Sequence, residues 1–241
     1  MKTEIMGVRF DNVTMDEALS FAEKCIEEKG TSYCVTPNAE IVYTAMHDSE
    51  FCRLLNDAAL VLPDGAGVIL GAKILKTPLK EKVAGIDFAA NLLGLLEKQG
   101  KTLYLLGSKP GIAELAAEKI VEKHPALKIV GTADGYFIDE TPVIEKINAA
   151  KPDVLFVCLG APKQERFMKE HQDELNVRFM IGLGGSLDGF AGTVKRAPKW
   201  MIRLQLEWLY RLIKEPKRFK RMLCLPKFVW ATLIKRMKGS K

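Results

Sequence analysis

Six short apolar runs, each ended by a turn residue and separated by helical patterns, constrain this chain more than any other feature. They are TSYCVTP (31–37), ALVLP (59–63), TLYLLG (102–107), LKIVGT (127–132), DVLFVCLG (153–160) and RFMIGLGG (178–185). The runs are nearly continuous rather than alternating, as strands covered on both faces require. Residues at helical spacing fill the gaps, from Ala18 to Ile26 (closed by Gly30) and over 85–98, 111–123, 140–150 and 163–174. This alternation predicts an α/β fold with a mainly parallel sheet and helices on both faces. At 241 residues and 48% hydrophobic content, the chain suffices for one sizeable core with a small appendage.

Several classes lack their signatures. The first strand-like segment, MGVRFDNV, is not followed by the GxGxxG turn of a dinucleotide-dependent oxidoreductase, and no P-loop is present. No apolar run reaches the roughly 18 residues that span a bilayer, and the start is not a secretory signal. A cytoplasmic protein is therefore expected. The five cysteines are scattered without CxxC spacing and read as reduced core residues. His47, His124 and His171 lie far apart and no Asp-x-Asp occurs, so neither a metal site nor any other cofactor is expected.

Charge divides the chain. Residues 195–241 hold fifteen Lys/Arg and two acids, a net +13, while the remainder is −7. All three tryptophans, Trp200, Trp208 and Trp230, lie in the same tail. We divide the chain into an α/β domain over 1–195 and a basic, amphipathic helical appendage over 196–241. Arg211, Arg218 and Arg221 share one face if the helix is continuous, although Pro216 interrupts it. Arginines suit a phosphate-bearing partner. Aromatic residues among the cations favour an anionic membrane surface over nucleic acid. A nucleic-acid-binding module built on the tail is the competing reading. A body ending near residue 195 is expected to be more soluble than the whole chain, and almost inactive.

In parallel sheets ligands gather at the carboxyl ends of strands. The residues there are Thr36 to Asn38, Asp64 with Gly65, Gly107 with Ser108, Asp134 to Tyr136, Gly160 to Gln164, and Gly184 to Asp188 (Gly185 included). The two glycine-rich turns, 105–111 and 182–192, offer backbone N–H groups to a diphosphate or are simply tight turns. Asp64 reads either as a general base or as the N-cap of the helical run DGAGVILGAKIL. Thr36 and Asn38 carry the same ambiguity.

Taken in order, TPN (36–38), PDGAG (63–67), KVAGIDF (82–88), LLG (105–107), DGYF (134–137), LGAPKQE (159–165), GLGGSLDGFAG (182–192), RAPKW (196–200) and LEWLYRLIKEPKRFKR (206–221) resemble the WecG/TagA/CpsF glycosyltransferases. The wording is nearest to the TagA-type N-acetylmannosaminyltransferases of wall teichoic acid synthesis. The resemblance implies a Rossmann-like domain whose appendage is linked to membrane association at the inner face of the plasma membrane. It implies a UDP-sugar donor, UDP-N-acetylmannosamine, and an acceptor N-acetylglucosamine carried on undecaprenyl diphosphate, joined β-1,4 with inversion. Another UDP-sugar, such as UDP-N-acetylmannosaminuronate or UDP-glucose, is the alternative within the family. Asp64 would be the base, with Thr36 at the reaction centre and Asn38 nearby. Gln164 would contact sugar or nucleotide, with Glu165 beside it. Arg211, Arg218 and Arg221 would close over the cleft. Lys82 and Asp87 of KVAGIDF join Gly65, Gly107, Ser108, Tyr136, Gly185 and Asp188 as donor- or acceptor-binding candidates. Lys82 stands where the family often has Arg, which loses the planar fork. Oligomeric state is left open, a homo-oligomer included.

Overall fold

The computed structural model describes residues 1–214, 216 and 219–238, with the backbone alone described for Lys199, Arg211, Lys220 and Arg221. An antiparallel hairpin, β1 (Lys2–Ile5) and β2 (Val8–Asp11), precedes a six-stranded sheet. The sheet strands are β3 (Ser32–Val35), β4 (Leu60–Val61), β5 (Thr102–Gly107), β6 (Lys128–Ala133), β7 (Val154–Cys158) and β8 (Phe179–Gly182). All six are parallel, in the order β4-β3-β8-β7-β5-β6. Each of the six apolar runs supplies one strand. The hairpin also guards the sheet edge, since Asp11 accepts a hydrogen bond from the Val61 N–H of edge strand β4 at 2.9 Å.

Side chains alternate across the sheet and divide the core in two. Tyr33, Val35, Val61, Tyr104, Leu106, Leu155, Val157 and Met180 face one layer. Cys34, Leu60, Leu103, Leu105, Phe156, Phe179 and Ile181 face the other. The first layer contains α2 (Ala39–Ala45), α3 (Ser49–Asn56), α4 (Ala66–Ile74), α7 (Thr141–Ala150) and α8 (Lys163–Glu170), together with the hairpin. The second contains α1 (Met15–Glu27), α5 (Gly85–Gln99), α6 (Ile112–Lys123) and α9 (Ser186–Phe190). Packing on both faces explains why β3, β4, β5, β7 and β8 are apolar almost throughout, whereas edge strand β6 is part-exposed at Lys128 and Val130.

The tail forms α10 (Lys199–Arg203), α11 (Glu207–Lys214), α12 (Phe219–Met222) and α13 (Cys224–Lys238). The last of these docks on the body rather than standing apart from it. Phe228 is fully buried in the first core layer, Thr232 is also fully buried, and α13 packs against α2 and α4. Arg236 donates to the Ile74 carbonyl at 2.6 Å, satisfying the C-terminal end of α4. Lys235 pairs with Glu4 of β1 at 3.0 Å. The opposite face of α13 presents Trp230, Leu233 and Met237 to solvent. Among the described residues, no helix is long and apolar enough to cross a membrane.

Candidate active site

The chain leaves β5 towards β6 and leaves the neighbouring β7 in the opposite direction, towards β8. Such a reversal opens a crevice at the carboxyl ends of the two strands. β3 and β4 continue the same rim on the far side of β8.

Thr36 follows β3 and is 7% exposed, and its hydroxyl donates to the Gly182 carbonyl at the end of β8 at 2.9 Å. Two residues on, Asn38 caps α2, its side-chain oxygen accepting from Ile41 N–H at 3.0 Å. The capping reading therefore holds for Asn38. It does not hold for Asp64, because Gly65 occupies the N-cap of α4 with φ +83° and gives no side-chain cap bond. The Asp64 carboxylate instead accepts from the Gly85 N–H, at the first residue of α5, at 3.4 Å. Gly85 is also where Thr36 packs, since a Cβ there would lie 3.0 Å from the Thr36 hydroxyl oxygen. Thr36 and Asp64 thus meet at the start of α5, and Gly65 approaches Asn38. Lys82 lies half-buried in the segment leading into α5, beside Val83, whose N–H bonds to the Pro63 carbonyl at 3.0 Å.

A second cluster lines β5, β7 and β8. Gly107 has φ +131°, and a Cβ there would collide with the Cys158 backbone of β7. Only glycine lets the two strand ends run this close. Ser108 donates from its hydroxyl to Asp188 at 2.9 Å, tying the turn after β5 to α9. Gln164 is 2% exposed; its amide oxygen accepts from Gly184 N–H at 2.8 Å and its amide nitrogen donates to Glu165 at 2.8 Å. That pairing places Gln164 and Glu165 against the turn that includes Gly185. Glu165 is 1% exposed, and its second carboxyl oxygen has no hydrogen-bond partner among the described residues. Burial pushes this carboxyl up to about 7, against a smaller opposing effect of the Gln164 bond. Tyr136 follows Gly135, whose N–H donates to the Ser108 carbonyl at 2.9 Å. Tyr136 is 70% exposed and borders a cavity of about 320 Å³ beyond edge strand β6, lined also by Glu114, Asp134 and Lys146.

Asp87, in the first turn of α5, is engaged by Arg196, which donates from both terminal nitrogens to both carboxylate oxygens. The Arg196 Nε also lies 3.9 Å from Glu207, the first residue of α11. The Asp87 hydrogen bonds raise the Arg196 pKa against desolvation, with further support from the charges of Asp87, Glu207 and Asp64. Sequence reading missed Arg196 as a site residue; its partner is 109 residues away, and only the motif RAPKW marked the region. Lys163 was missed as well. Its ammonium donates to the Gly135 carbonyl at 3.2 Å and lies 4.0 Å over the Phe137 ring. Of the three tail arginines, Arg218 lies outside the described residues, and the side chains of Arg211 and Arg221 do too.

The described residues include one group with metal-ligand spacing, Glu140, Glu170 and His171. It contains none of the strand-end residues, and both His171 nitrogens already bond carboxylates, of Glu140 at 2.7 Å and Glu174 at 2.8 Å.

A Bacillus subtilis (strain 168) protein named N-acetylglucosaminyldiphosphoundecaprenol N-acetyl-beta-D-mannosaminyltransferase is 40% identical over 243 residues, covering 100% of this chain and 94% of that protein. A Bacillus spizizenii protein of the same name is 38% identical over 208 residues, covering 86% of this chain and 81% of its own length. One from Staphylococcus aureus (strain MRSA252), again of that name, is 32% identical over 231 residues, covering 95% and 91%. The family model for these enzymes matches residues 3–241, so the chain belongs to the WecG/TagA/CpsF family of glycosyl transferases.

Proposed function

We propose that this protein transfers N-acetylmannosamine from UDP-N-acetylmannosamine to N-acetylglucosaminyl-diphospho-undecaprenol, forming a β-1,4 linkage in the linkage unit of wall teichoic acid. The names of its relatives support the reaction class and the acceptor. The observation that carries the mechanism is the meeting of Asp64 and Thr36 at the start of α5, with Asp64 displaced from the capping role by Gly65.

The acceptor hydroxyl attacks the anomeric carbon on the face opposite UDP, and configuration inverts. Asp64 takes the hydroxyl proton as the new C–O bond forms and the bond to UDP breaks. The N–H at the start of a 15-residue helix steadies negative charge at this position. Thr36 and Asn38 border the reacting centre, and Gln164, held from both ends of its amide, presents a fixed edge to the sugar nucleotide. UDP leaves with its charge met by Lys82 and the tail arginines 211, 218 and 221, in the role a divalent ion plays in other sugar-nucleotide enzymes. The exposed Trp200, Leu204, Trp208, Ile213, Phe219 and Trp230 among the tail's cations support docking on the inner face of the membrane, where a polyprenyl acceptor is presented.

Loss of a general base costs about 10² to 10⁴ in rate. Asp64→Ala is expected to lower turnover by that order in a transfer assay with a short-chain lipid diphosphate acceptor, while UDP binding by calorimetry survives. Near-normal turnover removes Asp64 from the role. A panel of UDP-sugars in the same assay identifies the donor. EDTA is expected to leave the rate unchanged; abolition by EDTA with rescue by magnesium refutes charge neutralisation by side chains alone.

A further inference from the structure

We propose that Arg196 is a positioning residue that latches the basic tail onto the first turn of α5, and so holds α11 over the strand ends where the sugar nucleotide lies. The inference rests on the catalytic reading of that rim. Arg196 stands where the chain leaves the body, between α9 and α10. Its guanidinium spans two elements, α5 and α11. The terminal nitrogens take both oxygens of Asp87 on the body, and Nε faces Glu207 at the head of α11. The paired fork fixes direction as well as distance, which a single contact does not. Asp87 in turn sits two residues beyond Gly85, the residue that touches both Thr36 and Asp64.

Charge gives a second reason for the latch. Asp64, Asp87 and Glu207 all act on Arg196. Removing that cation takes one positive charge from among these carboxylates, at the mouth of a cleft that must admit a diphosphate. Direct capture of the donor's phosphates by Arg196 is the competing role. It would require a phosphate to displace the Asp87 carboxylate from both terminal nitrogens.

The two roles separate on Asp87. The full-length protein carrying Trp200→Phe and Trp230→Phe keeps Trp208, which adjoins Glu207 on α11, as its sole tryptophan. Acrylamide quenching of Trp208 then reads whether α11 is held, with or without activity. Arg196→Gln and Asp87→Asn, each checked for an unaltered far-ultraviolet spectrum, should both raise the quenching constant about twofold. In an otherwise native background both should lower kcat/KM about fivefold to tenfold. Because Asp87 holds the tail only through Arg196, the double variant should lose no more than Arg196→Gln alone. The exchange Asp87→Arg with Arg196→Asp rebuilds the tie to α5 but not the contact with Glu207, so it should restore part of both signals, which a lost donor contact would not allow. The proposal is overturned if Asp87→Asn leaves quenching and transfer native while Arg196→Gln is impaired, or if quenching is unchanged in both. A native chain that transfers no sugar refutes the functional reading, while the quenching series still decides the latch.

Discussion

Replacing Phe228 with alanine tests whether the C-terminal helix is part of the body's core. The ring is 0% exposed and lies on the bare face of Gly71 in α4, where a Cβ would come within 2.9 Å of its Cζ atom. Truncating a buried phenylalanine costs about 3–5 kcal/mol. Because α13 lies at the surface and can settle into the vacated space, the low end applies, about 3 kcal/mol. For a chain of 241 residues, that is a fall of roughly 6–12 °C in Tm at about 2–4 °C per kcal/mol. Thermal unfolding followed by circular dichroism at fixed protein concentration measures it. A midpoint within 1 °C or so of the native one, together with fast amide exchange along α13, would show that the ring is not held in the core. The same packing revises the expected behaviour of a body ending near residue 195. Such a chain would lose Phe228, Thr232 and the Arg236 bond to α4, and would expose apolar surface on α2 and α4. It should aggregate rather than gain solubility, since exposed apolar patches of that kind promote association.

Two further outcomes follow from buried groups. The Glu165 carboxyl titrates at about 7 when folded against 4.5 as its ordinary value, so the folded chain retains a proton that the unfolded chain releases between those values. Stability should therefore fall as pH rises through that window, by up to ~3 kcal/mol, and level off above it; Glu165→Gln should remove the slope in urea titrations at pH 5, 6, 7 and 8, and an unchanged slope refutes the assignment. Gly107→Ala combines a φ of +131° with a collision against Cys158, whereas Gly192→Ala meets a φ of +75° and no atom within 4 Å. The first should cost about 3 kcal/mol or more and the second about 1 kcal/mol, read as the difference in urea midpoint at constant m-value; equal losses would mean that strand proximity adds nothing.

The sheet was legible because β3, β4, β5, β7 and β8 are buried almost throughout and leave near-continuous apolar runs, while the part-exposed edge strand β6 still carries Ile129 and Val130. Helices α5 to α8 were legible for the complementary reason, a repeat of apolar residues on one face. The hairpin of β1 and β2 was not recognised as two paired strands. Each has four residues, and half of those in β1 are exposed, so little periodicity accumulates. The short helices α2 and α3 escaped for a similar reason. In α13 the mixture of Trp230 with cations suggested a surface-seeking amphipathic helix, and Trp230, Leu233 and Met237 are exposed. What the pattern concealed is the other face, where Phe228 and Thr232 enter the core, because a lone phenylalanine and a threonine form no stripe. Contacts between distant residues were invisible in principle. Nothing local to Asp87 or Arg196 marks them as partners.

Asp64 and Asn38 show where the limit of such reading falls. Both are short polar residues just past an apolar strand, next to a proline, at the start of a helix, and spacing offers the same two roles to each. The backbone decides between them. Asn38 takes an extended conformation, φ −94° and ψ −179°, which aims its side chain back at the helix N–H groups. After Asp64, Gly65 takes the cap with a positive φ that an L-residue adopts only under strain, and the helix begins one residue later. That shift turns the Asp64 carboxylate away from α4 and towards the start of α5, beside Thr36. Substituting Gly65 should thus impair chemistry without touching a reacting group, because the glycine's contribution is the direction in which its neighbour points.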